Sequence, residues 1–130
     1  MPRRVLRNIF RVHGFRESFK TATKGTIYLL RYHRNMRIIF LLGLASFLLG
    51  VILKLRGIEL VALCVTITLV FMAEIFNTAI ELFMKILTTR YHIKIKLIKD
   101  ISAAVVLLAC LNALAVGYVL FYGRILGLFR

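Results

Sequence analysis

Residues 60–84 read LVALCVTITLVFMAEIFNTAIELFM, a long apolar run that contains two carboxylates and an amide. The run is long enough to cross a membrane as a helix, since about 20 apolar residues span a hydrocarbon core of about 30 Å. On such a helix Glu74, Asn77 and Glu81 fall within roughly 60° of one another, and we call these three residues the polar face. Ionisable groups inside a membrane are costly and usually face protein or water, so the polar face indicates a functional site.

Two further apolar runs accompany this one. Ile38 to Leu53 is uncharged and reaches about 20 residues with its flanks, and Ile101 to Gly123 also carries no charge. The chain is 61% hydrophobic with a mean hydropathy of +0.88, whereas soluble domains are about 45–50% apolar. Its 130 residues allow one domain at most. We therefore predict an all-α membrane protein with three transmembrane helices.

The segment before the first apolar run is basic and amphipathic. Between Phe15 and about Arg34, apolar residues such as Phe19 are opposed by basic residues such as Lys20. This pattern predicts a helix lying along the headgroup surface, with an ordinary helix packed on other helices as the alternative. The predicted domains are a basic amphipathic cytosolic-surface segment (1–37), a three-span membrane domain (38–123) and a short tail (124–130).

The chain has a formal charge of +14, from 19 Lys and Arg against 5 Asp and Glu. This charge limits the kinds of binding partner and, by its distribution, predicts the orientation in the membrane. Such a charge first suggests nucleic-acid binding, but the long apolar runs argue against it. The excess instead fits anionic lipid headgroups and a nucleotide phosphate. Ten basic residues precede the first span and five lie in 85–99. The turn between the first and second spans (54–59) and the tail (124–130) carry two each. The positive-inside rule then predicts a cytoplasmic N-terminus and an external C-terminus, with Glu81 near the cytosolic surface.

The polar face carries groups suited to phosphoryl transfer. A carboxylate in a dry setting can accept a proton from a buried hydroxyl. A second carboxylate near water can help to hold Mg²⁺, which prefers one or two carboxylates plus phosphate oxygens. Lys99 and Asp100 follow at the cytosolic start of the third span, where a Lys could neutralise phosphate charge. These parts fit transfer of a phosphoryl group from a soluble nucleotide to a lipid alcohol.

Other interpretations of the same residues stay open. The sequence contains no Gly-x-x-x-x-Gly-Lys loop and no kinase-type catalytic loop, so a nucleotide site would be of another kind. A small transporter could use Glu74 for coupling to ions. A structural polar zipper could use Asn77 to join helices, and Gly25 and Gly43 are interpreted as points of close helix approach.

The stretch Glu74-Ile-Phe-Asn-Thr-Ala-Ile-Glu81 resembles the signature of the small bacterial integral-membrane diacylglycerol kinase and undecaprenol kinase family. The likeness covers roughly residues 15–123. Supporting matches are Ser18-Phe19-Lys20, Arg34-Asn35-Met36-Arg37, Tyr91-His92, Lys99-Asp100 and Ser102-Ala103-Ala104. The Asn-Thr-Ala-Ile-Glu form and the Arg-Asn-Met stretch lean toward the undecaprenol-kinase branch.

The resemblance implies a homotrimer in the bacterial inner membrane, with active sites composed between neighbouring subunits. It implies ATP and Mg²⁺ as cofactors and a lipid alcohol, diacylglycerol or undecaprenol, as the acceptor. By position, Glu74 would be the general base that takes the proton from the lipid hydroxyl, and Asn77 would order that site. Glu81 would bind the metal that bridges the ATP phosphates. Lys99 and Asp100 would belong to the nucleotide site.

Two positions depart from the family pattern. The family has a Glu that completes the metal site where this chain has His33, and an Asp where this chain has Lys85. A neutral His is a candidate metal ligand, but a poor one for Mg²⁺, and His33 could instead be an interfacial residue. Lys85 is interpreted as a snorkelling residue. An alternative within the family is therefore a catalytically reduced member that acts as a membrane binding or regulatory protein.

Overall fold

The computed structural model describes residues 14–87 and 93–130, and within these ranges the chain is helical with short connections. The chain divides into two units, one ending at His33 and the other running from Arg34 to Arg130. The helices are α1 (Phe15–Tyr32), α2 (Arg34–Ile52), α3 (Ile58–Leu87) and α4 (Ile93–Leu128).

Helix α1 forms the described part of the first unit. Glu17 in its first turn and Arg31 in its last turn favour the helix because their charges complement the helix dipole. The helix has no buried residue, and Phe15 and Phe19 are 89% and 68% exposed. Its extent agrees with the helix predicted from Phe15 to about Arg34. Its position on a membrane surface stays a prediction.

Helices α2, α3 and α4 are each long and apolar enough to cross a membrane. The prediction of an all-α protein with three candidate membrane spans is confirmed. The helices contain 19, 30 and 36 residues, so at 1.5 Å per residue they are about 28, 45 and 54 Å long. Helices α3 and α4 therefore exceed a hydrocarbon core of about 30 Å and extend into the polar segment 85–100 between the second and third apolar runs.

Helix α3 packs against both α2 and α4. The core comprises Leu55, Leu63 and Leu120, which are at most 8% exposed. A Cβ atom added to Gly43 would lie 2.8 Å from Ile67 Cγ2, so α2 and α3 approach closely at this point. The expected close approach is confirmed at Gly43. A Cβ at Gly25 would meet nothing within 4 Å among the described residues, and a close approach there stays a prediction.

The connection between α2 and α3 reverses the chain in five residues. The Leu55 N–H donates to Gly50 O over 2.9 Å and the Lys54 N–H donates to Val51 O over 3.1 Å. This pair of bonds is a Schellman motif, with Lys54 in the left-handed region at φ 61°. Leu55 is 3% exposed and anchors the turn in the core. Gly57 also has a positive φ, of 58°, which glycine adopts without strain.

Candidate functional site

The polar face lies on α3 because this helix runs unbroken from Ile58 to Leu87. Glu74 is buried, with 5% of its surface exposed, whereas Asn77 and Glu81 are half-buried. The 1.5 Å rise per residue separates Glu74 and Glu81 by roughly 10 Å along the helix axis. One carboxylate is therefore enclosed by the bundle while the other is partly open. This difference in burial suits two different chemical roles.

A hydrogen bond joins the polar face to α4. The Ser102 hydroxyl donates to Asn77 Oδ1 over 2.8 Å, and the same hydroxyl lies 2.8 Å from the Lys99 carbonyl oxygen. Sequence reasoning placed Ser102 only among the small residues that open the third span. The order of the helices along the chain could have indicated the contact of Ser102 with α3. The end of α3 and the start of α4 are joined by a short connection, so their polar residues are candidates for contact.

The predicted nucleotide residues Lys99 and Asp100 lie within α4 and have exposed side chains. The structure brings the Lys99 backbone to the polar face through Ser102. Exposed side chains at this position are accessible to a soluble ligand.

The two positions that depart from the family pattern lie at helix ends. His33 follows α1 with extended backbone, and its N–H donates to Leu29 O over 2.9 Å. Its ring centroid lies 6.1 Å from that of Tyr28. Lys85 is exposed in the last turn of α3, where a positive charge complements the helix dipole. The matching pair Tyr91-His92 lies outside the described residues.

No group of three or more His, Cys, Asp or Glu that could hold a metal ion occurs in the described part of the chain. Mg²⁺ does not need such a group, since it is commonly bound through one or two carboxylates and the phosphates of a substrate. Glu81 offers one half-buried carboxylate of the kind that this coordination uses. This carboxylate thus fits a metal that arrives with a nucleotide.

Sequence reasoning missed an ion pair at the opposite end of α3. Arg124 Nη2 donates to Glu59 Oε2 over 2.7 Å, and Nη1 donates to Oε1 over 3.2 Å. Glu59 precedes Glu81 by 22 residues, which is about 33 Å along a helix. The pair therefore joins α3 to α4 far from the polar face. The sequence did offer a signal for this pair, because Glu59 and Arg124 carry opposite charges and are both predicted on the external side of the membrane.

Comparison with known proteins places these residues in a family. Residues 20–121 match the family described as prokaryotic diacylglycerol kinase, a stretch that includes Glu74–Glu81 and Ser102. A diacylglycerol kinase from Synechocystis sp. is 36% identical over 101 residues. The match covers 77% of this chain and 58% of that relative, so the chain spans little more than half of the relative's length. The chain belongs to the prokaryotic diacylglycerol kinase family.

Proposed function

We propose that this protein catalyses the ATP-dependent phosphorylation of a membrane lipid alcohol. The observation that carries the proposal is a buried carboxylate, Glu74, in a candidate membrane span inside the stretch that matches the family. The relative in Synechocystis is named a diacylglycerol kinase. Diacylglycerol is therefore the first acceptor to test, and undecaprenol is the second.

Glu74 acts in this proposal as the general base. Its carboxylate accepts the proton of the lipid hydroxyl as the hydroxyl oxygen forms a bond to the γ-phosphorus. The bond from that phosphorus to the β–γ bridging oxygen breaks, and ADP leaves. Asn77, one turn further along the same face, orders the acceptor hydroxyl or the carboxylate. The burial of Glu74 supports this role because it keeps bulk water from competing as the acceptor.

Glu81, Lys99 and Asp100 serve the nucleotide side. ATP supplies the phosphoryl group, and bound Mg²⁺ neutralises charge on the phosphates. Glu81 offers a metal ligand, and the Lys99 ammonium offers a phosphate contact. The partial exposure of Glu81 and the exposure of Lys99 support these roles, since a soluble nucleotide must reach both. His33 remains a candidate metal ligand.

The proposed setting is the bacterial inner membrane, with residues 1–37 at the cytosolic surface, 38–123 in the membrane and 124–130 as an external tail. The distribution of basic residues supports this orientation. We also propose a homotrimer with sites between subunits. Large apolar side chains are extensively exposed in α4, Leu114 by 71% and Val119 by 78%, and such surfaces suit contact with lipid or with a neighbouring subunit.

A catalytically reduced family member is the second candidate function. It is favoured by His33 and Lys85, which stand where the resemblance implies acidic residues. Such a protein would bind lipid or nucleotide with little turnover.

One assay tests the proposal and separates the two candidates. Purified protein in detergent receives Mg²⁺, γ-labelled ATP and either diacylglycerol or undecaprenol. Label in the extracted lipid is the expected result. Unlabelled lipid in both reactions, at protein concentrations that bind ATP, would support the reduced member. Unlabelled lipid together with no binding of either ATP or lipid would contradict both.

A further inference from the structure

We propose that Ser102 is a positioning residue that sets the orientation of the Asn77 amide within the polar face. The inference rests on the proposed function, because it concerns the same site. Two distances carry it. The Ser102 Oγ atom lies 2.8 Å from Asn77 Oδ1 on α3 and 2.8 Å from the Lys99 carbonyl oxygen on α4.

The hydroxyl of Ser102 has one hydrogen and therefore serves one acceptor at a time. When it donates to Asn77, the carbonyl end of the amide faces Ser102. Ser102 then leaves both N–H donors of Asn77 to other acceptors. When the hydroxyl donates to Lys99 O, its lone pairs can accept from Asn77 only if the amide turns over. The structure has the first arrangement, with Oδ1 toward Ser102.

This arrangement gives the polar face a hydrogen-bond donor. Asn77 lies three residues after Glu74 and four before Glu81, the two spacings at which helical side chains are neighbours. Both carboxylates are acceptors when ionised. With its carbonyl held by Ser102, Asn77 offers its N–H groups to a carboxylate or to the oxygen of an acceptor hydroxyl. A turned amide would instead present a second acceptor there.

The same hydroxyl couples the two halves of the proposed site. Lys99 belongs to the nucleotide side, and its carbonyl competes with Asn77 for the Ser102 hydrogen. A change in the first turns of α4 around Lys99 and Asp100 would therefore reach the polar face through one side chain. Ser102 acts through Asn77, so its loss should lower the rate of transfer more than the affinity for either substrate.

The kinetic test compares Ser102→Ala, Ser102→Thr and a matched control, Ser46→Ala. Among the described residues, the Ser46 hydroxyl bonds to Leu42 O of its own helix alone, over 2.8 Å. Ser102→Ala should lower kcat by about three- to tenfold, the effect of one neutral hydrogen bond, with KM for ATP and lipid changed less than about twofold. Ser102→Thr retains a hydroxyl and should restore most of kcat. Ser46→Ala should match the wild type.

A double substitution isolates the route through Asn77. If Ser102 acts by orienting Asn77, then Ser102→Ala combined with Asn77→Ala should be no slower than Asn77→Ala alone. If the two substitutions lower kcat by independent factors that multiply in the double variant, the positioning role is overturned. Full kcat in Ser102→Ala would overturn it as well.

A spectroscopic measurement keeps this inference separate from the proposed function. In protein labelled with ¹⁵N-asparagine, the side-chain amide signal of Asn77 should shift in Ser102→Ala and remain in place in Ser46→Ala. An unmoved Asn77 signal would overturn the inference even in an active enzyme. A wild-type protein that labels no lipid would overturn the proposed function, and with it the catalytic consequence of Ser102. The amide shift would then show only that the hydrogen bond exists.

Discussion

Arg124 and Glu59 form a two-pronged ion pair that joins the end of α4 to the start of α3, with Nη2 2.7 Å from Oε2 and Nη1 3.2 Å from Oε1. Glu59 lies in the first turn of α3, where a negative charge complements the helix dipole. Arg124 Nη1 also lies 3.4 Å from Leu120 O of its own helix. The pair is far from the polar face, so it joins the two helices without touching the chemistry.

The first prediction concerns this ion pair. Both side chains are a little over one-third exposed, 35% for Arg124 and 38% for Glu59, so the coupling free energy should be modest, about 0.5–1 kcal/mol. A double-mutant cycle of Glu59→Gln and Arg124→Gln, measured by thermal unfolding in detergent, gives that coupling directly. Arg130→Gln is the control and should leave the melting temperature unchanged. Fully additive effects of the two substitutions would show that the pair contributes no stability.

A second prediction tests the close approach of α2 and α3. Gly43→Ala would place a methyl 2.8 Å from Ile67 Cγ2, which is attached to a branched Cβ and cannot swing away freely. The overpacking should cost about 1–3 kcal/mol. Gly123→Ala is the control, since its Cβ would meet nothing within 4 Å in the described part of the chain.

The Gly43 variant has an internal check. Adding Ile67→Ala to Gly43→Ala removes the clashing atom and should recover part of the lost stability. If Gly43→Ala is as stable as the wild type, the two helices do not pack at this distance in the membrane.

The orientation gives a third prediction. Single cysteines at Arg56 and Lys96, in a chain with Cys64 and Cys110 replaced by Ala, report on opposite sides of the membrane. Both target side chains are exposed. A membrane-impermeant maleimide should label the Arg56→Cys variant in intact cells and the Lys96→Cys variant only after lysis. The reverse pattern would place the polar face at the external end of α3 and would separate it from cytosolic ATP.

A fourth prediction concerns the metal site. Replacing His33 by Glu and Lys85 by Asp restores the acidic residues that the family resemblance implies. Because Mg²⁺ prefers carboxylate oxygen, the Mg²⁺ concentration that gives half-maximal activity should fall by about tenfold, the scale of one charged contact. His33→Gln with Lys85→Asn is the neutral control and should leave the Mg²⁺ dependence unimproved. An unchanged requirement in the acidic variant would mean that neither position contributes to the metal site in this protein.

The three spans could be predicted from the sequence because uninterrupted apolar length is a direct consequence of the bilayer's thickness. Helix ends could not be predicted in the same way. The apolar run of the third span starts at Ile101, but α4 starts at Ile93, because charged residues such as Lys96 are good helix formers outside the hydrocarbon. Hydropathy locates the part inside the membrane, whereas backbone hydrogen bonds set the length of the helix.

The polar face could likewise be predicted, since its spacing is local to one helix. The contacts between α3 and α4 could not be predicted. Ser102 lies 25 residues from Asn77 and Arg124 lies 65 residues from Glu59, and both contacts depend on the register of α4 against α3. That register is set by packing around Leu63 and Leu120, which no local pattern encodes.

The most direct test of the central claim is phosphoryl transfer by the wild type, Glu74→Gln and Glu59→Gln. Both substitutions neutralise a glutamate of α3, but only Glu74 lies on the polar face. With Mg²⁺-ATP and the preferred lipid, Glu74→Gln should lower kcat by about 10²–10⁴-fold, the usual contribution of a general base. Glu59→Gln should retain the wild-type rate. Equal rates in the wild type and Glu74→Gln would contradict the assignment of Glu74 as the base and the proposed mechanism with it.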